Sequence, residues 1–262
     1  MDTVSIPTAA SRPRGGSAQA VVQYALIAAI LIVFGVWMLS AVGKVRDAAL
    51  RMNTTSQLKQ LGMAIHTFDG VNGHLPGANA PAAEPQGDGK KYPVSWRVLI
   101  LPYIEQDDLF KQYRFDEPWD GPNNAQLLNR MPRTFRHPKA DSADVPAGHT
   151  HYRVFVSRPD AKASALFTDG LPGPKLSLKE IPDGTSNTIL IVEAGEAVPW
   201  TMPEVLLYDR NQPVPKLGGL FKGHFQVALA DGSVRSFRND FPEDKLRAWI
   251  TKDGGETVGD DW

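Results

Sequence analysis

The stretch AVVQYALIAAILIVFGVWMLSAV, residues 20–42, carries no charged side chain, and only Gln23, Tyr24 and Ser40 in it are markedly polar. A bilayer core takes about 20 apolar residues at ~1.5 Å each, so the run is long enough to span one. Leu26, Ile27, Ile30, Leu31, Ile32, Val33, Phe34, Val36 and Leu39 together favour insertion by about 3–5 kcal/mol. Tyr24 and Trp37 fall toward its two ends, where interfacial aromatics sit. Between Ala25 and Leu39 there is no polar face, which argues against an amphipathic helix lying on a soluble core. Leu26, Ile30, Val33, Phe34 and Trp37 are therefore the expected membrane anchor, with the lipid bilayer as partner. A cleavable signal peptide is the competing reading, with Arg12 and Arg14 as its basic region and Ala41-Val42-Gly43 as its small-residue cleavage site.

The following residues decide for a retained helix. Val45, Ala48, Ala49 and Met52, then Leu58, Leu61, Ile65 and Phe68, recur at helical spacing between charged and polar neighbours. No proline interrupts the passage from the apolar run, so the pattern predicts one helix from about Ala18 to Phe68. Asp69-Gly70 and Asn72-Gly73 end it with turn chemistry. Met52, Leu61 and Ile65 are the expected packing stripe. The organisation expected is a polar segment over 1–19, a transmembrane helix over 20–43, its amphipathic continuation over 44–70, and a head over 71–262. The positive-inside count weakly favours a cytoplasmic head, with Lys44, Arg46, Arg51 and Lys59 on the far side of the membrane run.

The head reads as turn-rich α+β. Glycine and proline number 23 and 21 of 262 residues, above the usual share. Residues 76–93 read as an exposed loop. Ser95–Tyr113 is a helix that Pro102 must kink or divide, and a short helix is expected near Asn124–Met131. Tyr152–Ser157 and Thr185–Glu193 read as strands. His224–Leu229 and Ser233–Phe237 flank Ala230-Asp231-Gly232 as a hairpin, and Leu246–Ile250 as a last short helix. Together these predict a long helix packed on a small antiparallel sheet.

Composition excludes several function classes. The chain has 28 basic and 29 acidic residues and no cysteine, so there is no basic excess for nucleic acid and no thiol nucleophile or thiolate metal site. No phosphate loop, dinucleotide fingerprint or metalloprotease helix occurs. His149 and His151 share a strand face as metal ligands can, yet lack an acidic neighbour in sequence and read as solvent-exposed. Asp183, Asp231 and Glu193 offer hard oxygens for a calcium ion if they converge, although Asp-Gly ordinarily serves a turn. Ser186 lacks a nucleophile elbow and a base, so its hydroxyl reads as a turn partner. Trp96, Trp119 and Trp200 pin loops to a core or form a contact surface. The chain is thus expected to be no enzyme and to hold no cofactor.

Several segments in one order resemble a family. They are Leu58-Lys59-Gln60-Leu61-Gly62 with His66, Ser95 to Gln106, and Asp116 to Asn123. Asp183 to Thr188 with Glu193-Ala194, Val198-Pro199-Trp200-Thr201, and Ala230 to Arg235 complete the set. They resemble the planctomycete prepilin-like proteins with the domain of unknown function 1559. The resemblance implies a type IV pilin or pseudopilin-like architecture whose head is exported from the cytoplasmic membrane, and protein partners of the same kind. Trp119, Trp200, Asp183 and Asp231 are then candidate loop contacts, and Gly16 is the candidate processing site. Gly16 is followed by Ser17-Ala18-Gln19-Ala20-Val21, without the family's usual Phe and fifth-position Glu. His224 also stands closer to Asp231 than the family's histidine does.

Overall fold

The computed structural model describes residues 16–79, 92–158, 161–168 and 176–256. The expected polar segment 1–19 and the 76–93 loop lie largely outside the described residues. The chain forms two compact units divided between Ala49 and Leu50.

Helix α1 covers Gly16–Asn72. In the first unit its residues from Val21 to Met38 are almost all exposed apolar side chains. In the second unit, here the head, Leu58, Leu61, Ala64 and Ile65 are fully buried, each larger side chain contributing roughly 2 kcal/mol of burial. Gly73, at φ +74, closes the helix by donating to Asp69 O at 2.8 Å.

The expected Ser95–Tyr113 helix is divided in three. Helix α2 (Trp96–Leu99) gives way to a 3-10 turn at Leu101–Ile104 holding Pro102, and Glu105 in the left-handed region precedes α3 (Asp107–Gln112). Helix α4 (Asn124–Leu127) follows. Strands β1 (His149–Arg153), β4 (Ile189–Pro199), β6 (His224–Leu229) and β7 (Val234–Arg238) form an antiparallel sheet ordered β1-β4-β6-β7. The expected Tyr152–Ser157 strand breaks at buried Val154. Beyond it, β2 (Phe155–Ser157) leaves that sheet to pair in parallel with β3 (Phe167–Thr168) and β5 (Leu206–Leu207). Helix α5 (Glu243–Ile250) ends the fold.

The head has a core on each face of the larger sheet. Phe225, Val227, Leu229 and Phe237 pack with Leu246, Trp249 and Ile250 of α5. The other face carries Leu190, Ile191, Ala228 and Ala230 against Leu58, Leu61 and Ile65 of α1. Alternation along β6 therefore turns Gln226 and Ala228, with Ala230 just beyond the strand, toward α1. At the end of this row the two backbones come close enough that a Cβ on Gly62 would stand 3.9 Å from Gly232 Cα.

Gly148 is under a tighter constraint. It has φ +72, and a Cβ there would sit 2.4 Å from Leu128 O, whereas Gly73 has a similar φ with open space around it. Gly73→Ala is expected to cost about 1–2 kcal/mol, the left-handed penalty alone. Gly148→Ala is expected to cost about 3 kcal/mol or more because the clash adds to it. Denaturant unfolding followed by tryptophan fluorescence measures both.

Candidate functional site

In the first unit, Leu26, Ile30, Val33, Phe34 and Trp37 line one face of α1 and are each more than half exposed. Phe34 and Trp37 lie with ring centroids 6.2 Å apart. This helix is long and apolar enough to cross a membrane by length and composition. Gly16 is its first residue.

In the head, Leu61 and Ile65 stand in the core, but Met52 is 73% exposed. Nine residues turn a helix by about 900°, which puts Met52 opposite Leu61. The packing face runs instead through Thr54, Leu58, Leu61 and Ile65, all with no exposed surface.

That face meets a buried polar seam. Glu193, at 2% exposure, accepts from His137 Nε2 at Oε1 (2.6 Å) and from the Gln226 backbone N–H at Oε2 (2.6 Å). The Lys139 N–H donates to His137 Nδ1 at 3.0 Å, so the ring's hydrogen is assigned to Nε2. Thr54 Oγ1 lies 3.4 Å from the same nitrogen. Thr55 Oγ1 donates to Gln226 Oε1, and Gln226 Nε2 donates to Arg51 O. Tyr152 donates its hydroxyl hydrogen to Gln57 Oε1 at 2.7 Å, and Gln57 Nε2 donates to Arg133 O and Arg136 O. Burial, then the Glu193 carboxylate, pushes the Tyr152 phenol well up. This seam is a set of docking bonds between α1, the 133–137 segment and the sheet.

His151 corrects the exposed-histidine expectation, for it is buried at 4% exposure. The β1–β4 ladder is irregular beside it, between Thr150 and Tyr152, and Nδ1 donates to Ala194 O at 2.9 Å. Its Nε2 is buried without a hydrogen-bond partner. Burial lowers its pKa, the nearby His137 adding to the effect against the Ala194 carbonyl and Glu193. His149 is half-exposed and donates through Nδ1 to Ala147 O.

The loop candidates separate. Trp200 is fully buried, stacked on Phe135 at 5.9 Å and donating from Nε1 to Leu127 O; it is a core residue and presents no loop surface. Trp96 is likewise fully buried. Trp119 is half-buried on a loop stapled by Glu117, whose carboxylate accepts the Asn123 and Asn124 N–H groups. Burial opposes ionisation of Glu117, but these bonds, with the Asn123 side chain and Arg114, hold its pKa below the usual range. Asp183 accepts from Gly254 N and Gly255 N and pins the C-terminal segment. Asp231 is exposed and caps the hairpin turn by accepting from Ser233 N. The carboxylates of Asp183, Asp231 and Glu193 are thus engaged by three different sets of donors. Among the described residues no group of three or more His, Asp or Glu is placed to hold a metal ion. Exposed Ser186 sits in a turn whose neighbours Asn187 and Thr188 donate to Asp183 O and Gly184 O.

His137 was not a sequence candidate, because nothing in Phe135-Arg136-His137-Pro138 distinguishes a buried histidine from an exposed one. One clue to the seam was available: Glu193 follows four apolar residues, Ile189 to Val192, and an acidic side chain that continues a buried strand needs partners. An open polar cleft of about 770 Å³ lies elsewhere on the head, lined by Lys111, Arg114, Phe115, Asp116, Gln126 and Arg130 with others.

An α+β head preceded in the chain by a helix of membrane-spanning length and composition defines the class of protein. The family described as "Protein of unknown function (DUF1559)" matches residues 43–212, more than half of the chain, and the chain belongs to that family. The match begins where the apolar run ends and stops before the β6–β7 hairpin. No curated protein and no solved structure matches the chain.

Two outcomes follow from the seam. Glu193→Ala is expected to cost about 3–5 kcal/mol in denaturant unfolding, because it strands two buried donors. A depressed histidine pKa means that the unfolded chain binds the proton more readily. Stability is therefore full above the unfolded value near ~6.5 and falls as pH drops from there toward the folded value. In thermal melts between pH 7.5 and 5, His151→Gln, which retains a donor for Ala194 O, is expected to weaken this loss by up to about 1.4 kcal/mol per pH unit.

Proposed function

We propose that the protein is a non-enzymatic, pilin- or pseudopilin-like structural subunit. It is held in the cytoplasmic membrane by a single pass through residues 20–42, with its head on the extracytoplasmic side. The observation that carries this reading is the exposed apolar surface from Val21 to Met38, which is stable only against lipid or other apolar helices. The reading is supported by the family match and by the use of the head's buried His137, Glu193, Arg97 and Tyr152 in packing bonds. Its partners are the bilayer and further pilin-like subunits. A tethered binding module for a solute, glycan or cation is the second reading. The open polar cleft beside α3 and α4 favours it, having basic and amide side chains around Phe115.

Mass spectrometry of the mature N-terminus, on protein purified from its native membrane, tests the anchor. A start at Ser17 or earlier is expected. A start at Lys44 would mean a released head and would overturn the reading. Crosslinking in the same membranes is expected to give complexes between copies or with similar subunits. A ligand-dependent rise in melting temperature, without such complexes, would favour the second reading.

A further inference from the structure

A cleft beside the first turns of α1 in the head has chemistry that this reading leaves unused. It measures about 410 Å³ and is lined by Leu50, Asn53, Ser56, Arg133, Arg136 and Asp141, among others. Gln57 fixes its wall, since Nε2 holds Arg133 O at 2.8 Å and Arg136 O at 2.9 Å while Oε1 accepts the Tyr152 hydroxyl. The Arg133 side chain is exposed, as are Asn53 and Ser56. Arg136 is paired with Asp141. Next to the cleft, Arg51 and Lys139 stand over the Phe221 ring, at 5.5 and 4.9 Å from its centroid. Arg133 and Arg136 thus line the cleft with Asp141, and Arg51 and Lys139 follow its lining residues Leu50 and Pro138 in the chain.

The chain's own connectivity says what such a site meets. Fewer than ten residues separate Val42, the end of the apolar run, from Leu50 on the rim of the cleft. Even fully extended, that tether spans no more than about 30 Å. Residues 20–42 in a bilayer would therefore hold Leu50 within about 30 Å of the membrane surface whatever the arrangement of the intervening chain. Guanidinium groups match phosphate oxygens bidentately, and Asn53 and Ser56 add neutral donors.

We propose that this cleft binds the phosphate headgroup of an anionic phospholipid in the bilayer that holds the anchor. Arg133 supplies the net charge, and Arg136, whose charge Asp141 offsets, adds N–H donors. The proposal rests on the membrane-anchored reading. The tether favours lipid over soluble phosphate, because it keeps headgroups near the cleft while a free anion must be captured from dilute solution.

The full chain is reconstituted into nanodiscs of phosphatidylcholine alone or with phosphatidylglycerol, and amide hydrogen exchange is followed over residues 133–141. Phosphatidylglycerol is expected to slow exchange there about fivefold, the weight of one surface cation, and salt is expected to remove the effect. Arg133→Glu should abolish the slowing without loosening the fold, since the backbone carbonyl of Arg133, not its side chain, meets Gln57. Lys162→Glu, at an exposed lysine outside the cleft, should leave it intact. Equal exchange in both bilayers overturns the proposal alone. Equal protection by inorganic phosphate in phosphatidylcholine discs overturns the lipid assignment. A chain that fails to co-elute with the discs overturns the anchored reading and this proposal with it.

Discussion

A carboxylate buried to 2% exposure is tolerable only where donors occupy its oxygens, and Glu193 meets that condition with one bond from His137 and one from the Gln226 backbone. Each donor is itself fixed: His137 by the Lys139 N–H, and the Gln226 side chain by Thr55 and the Arg51 carbonyl. The consequence is that α1 cannot slide along β6 without breaking the bonds that Thr55 and the Arg51 carbonyl make with the Gln226 side chain, whose own backbone N–H is held by Glu193. Leu58, Leu61 and Ile65 contribute burial, but apolar contact is non-directional. The seam sets where along the sheet that burial occurs. A buried pair of this kind is weak evidence for stability and better evidence for a fixed register.

A second buried charge does related work on β1. The Arg97 side chain has no exposed surface, and it donates twice to Tyr152 O and once to Ser95 Oγ. Burial and then the Arg153 guanidinium pull it down to about 9, with Glu204 opposing them, so it stays charged at neutral pH. Arg153 in turn donates to Glu204 and to Val205 O. The two guanidinium groups therefore grip the chain where it leaves β1 for β2. The strand changes sheets there because Val154 O and Val156 O accept from Leu206 N and Tyr208 N.

Features carried by local chemistry were legible in the sequence. The long helix, its stop near Gly73, the division at Pro102, the β6–β7 hairpin and the short last helix each have a turn residue or a period behind them. The three-stranded parallel sheet was not legible, since two of its strands have only two residues each and their partners lie far apart in the chain. Met52 was misplaced because the stripe from Val45 onward was extended through positions that do not share one face at 3.6 residues per turn. The lack of an acidic neighbour in sequence does not tell exposure from burial, and His151 is buried where the β1–β4 ladder is irregular. The seam escaped for a similar reason: His137, Glu193 and Gln226 belong to three segments, and only the fold brings them together.

The head and the apolar helix invert each other's chemistry. In the head the apolar groups lie inside, and buried charged groups such as Glu193 and Arg97 are held by bonds to backbone and to neighbouring side chains. Along residues 21–38 the apolar groups lie outside, with nothing among the described residues to cover them. A soluble core helix would bury that surface, and an interfacial helix would carry a polar face; this stretch does neither. The surface left for interaction is therefore of two kinds, an all-round apolar cylinder and a head with polar side chains on its surface. A cylinder without a polar stripe can sit among lipids or among like helices at little cost in either direction. Selectivity between those environments has to come from outside it, and in this chain the charged cleft at Leu50 is the nearest feature of the head, along the sequence, able to supply it.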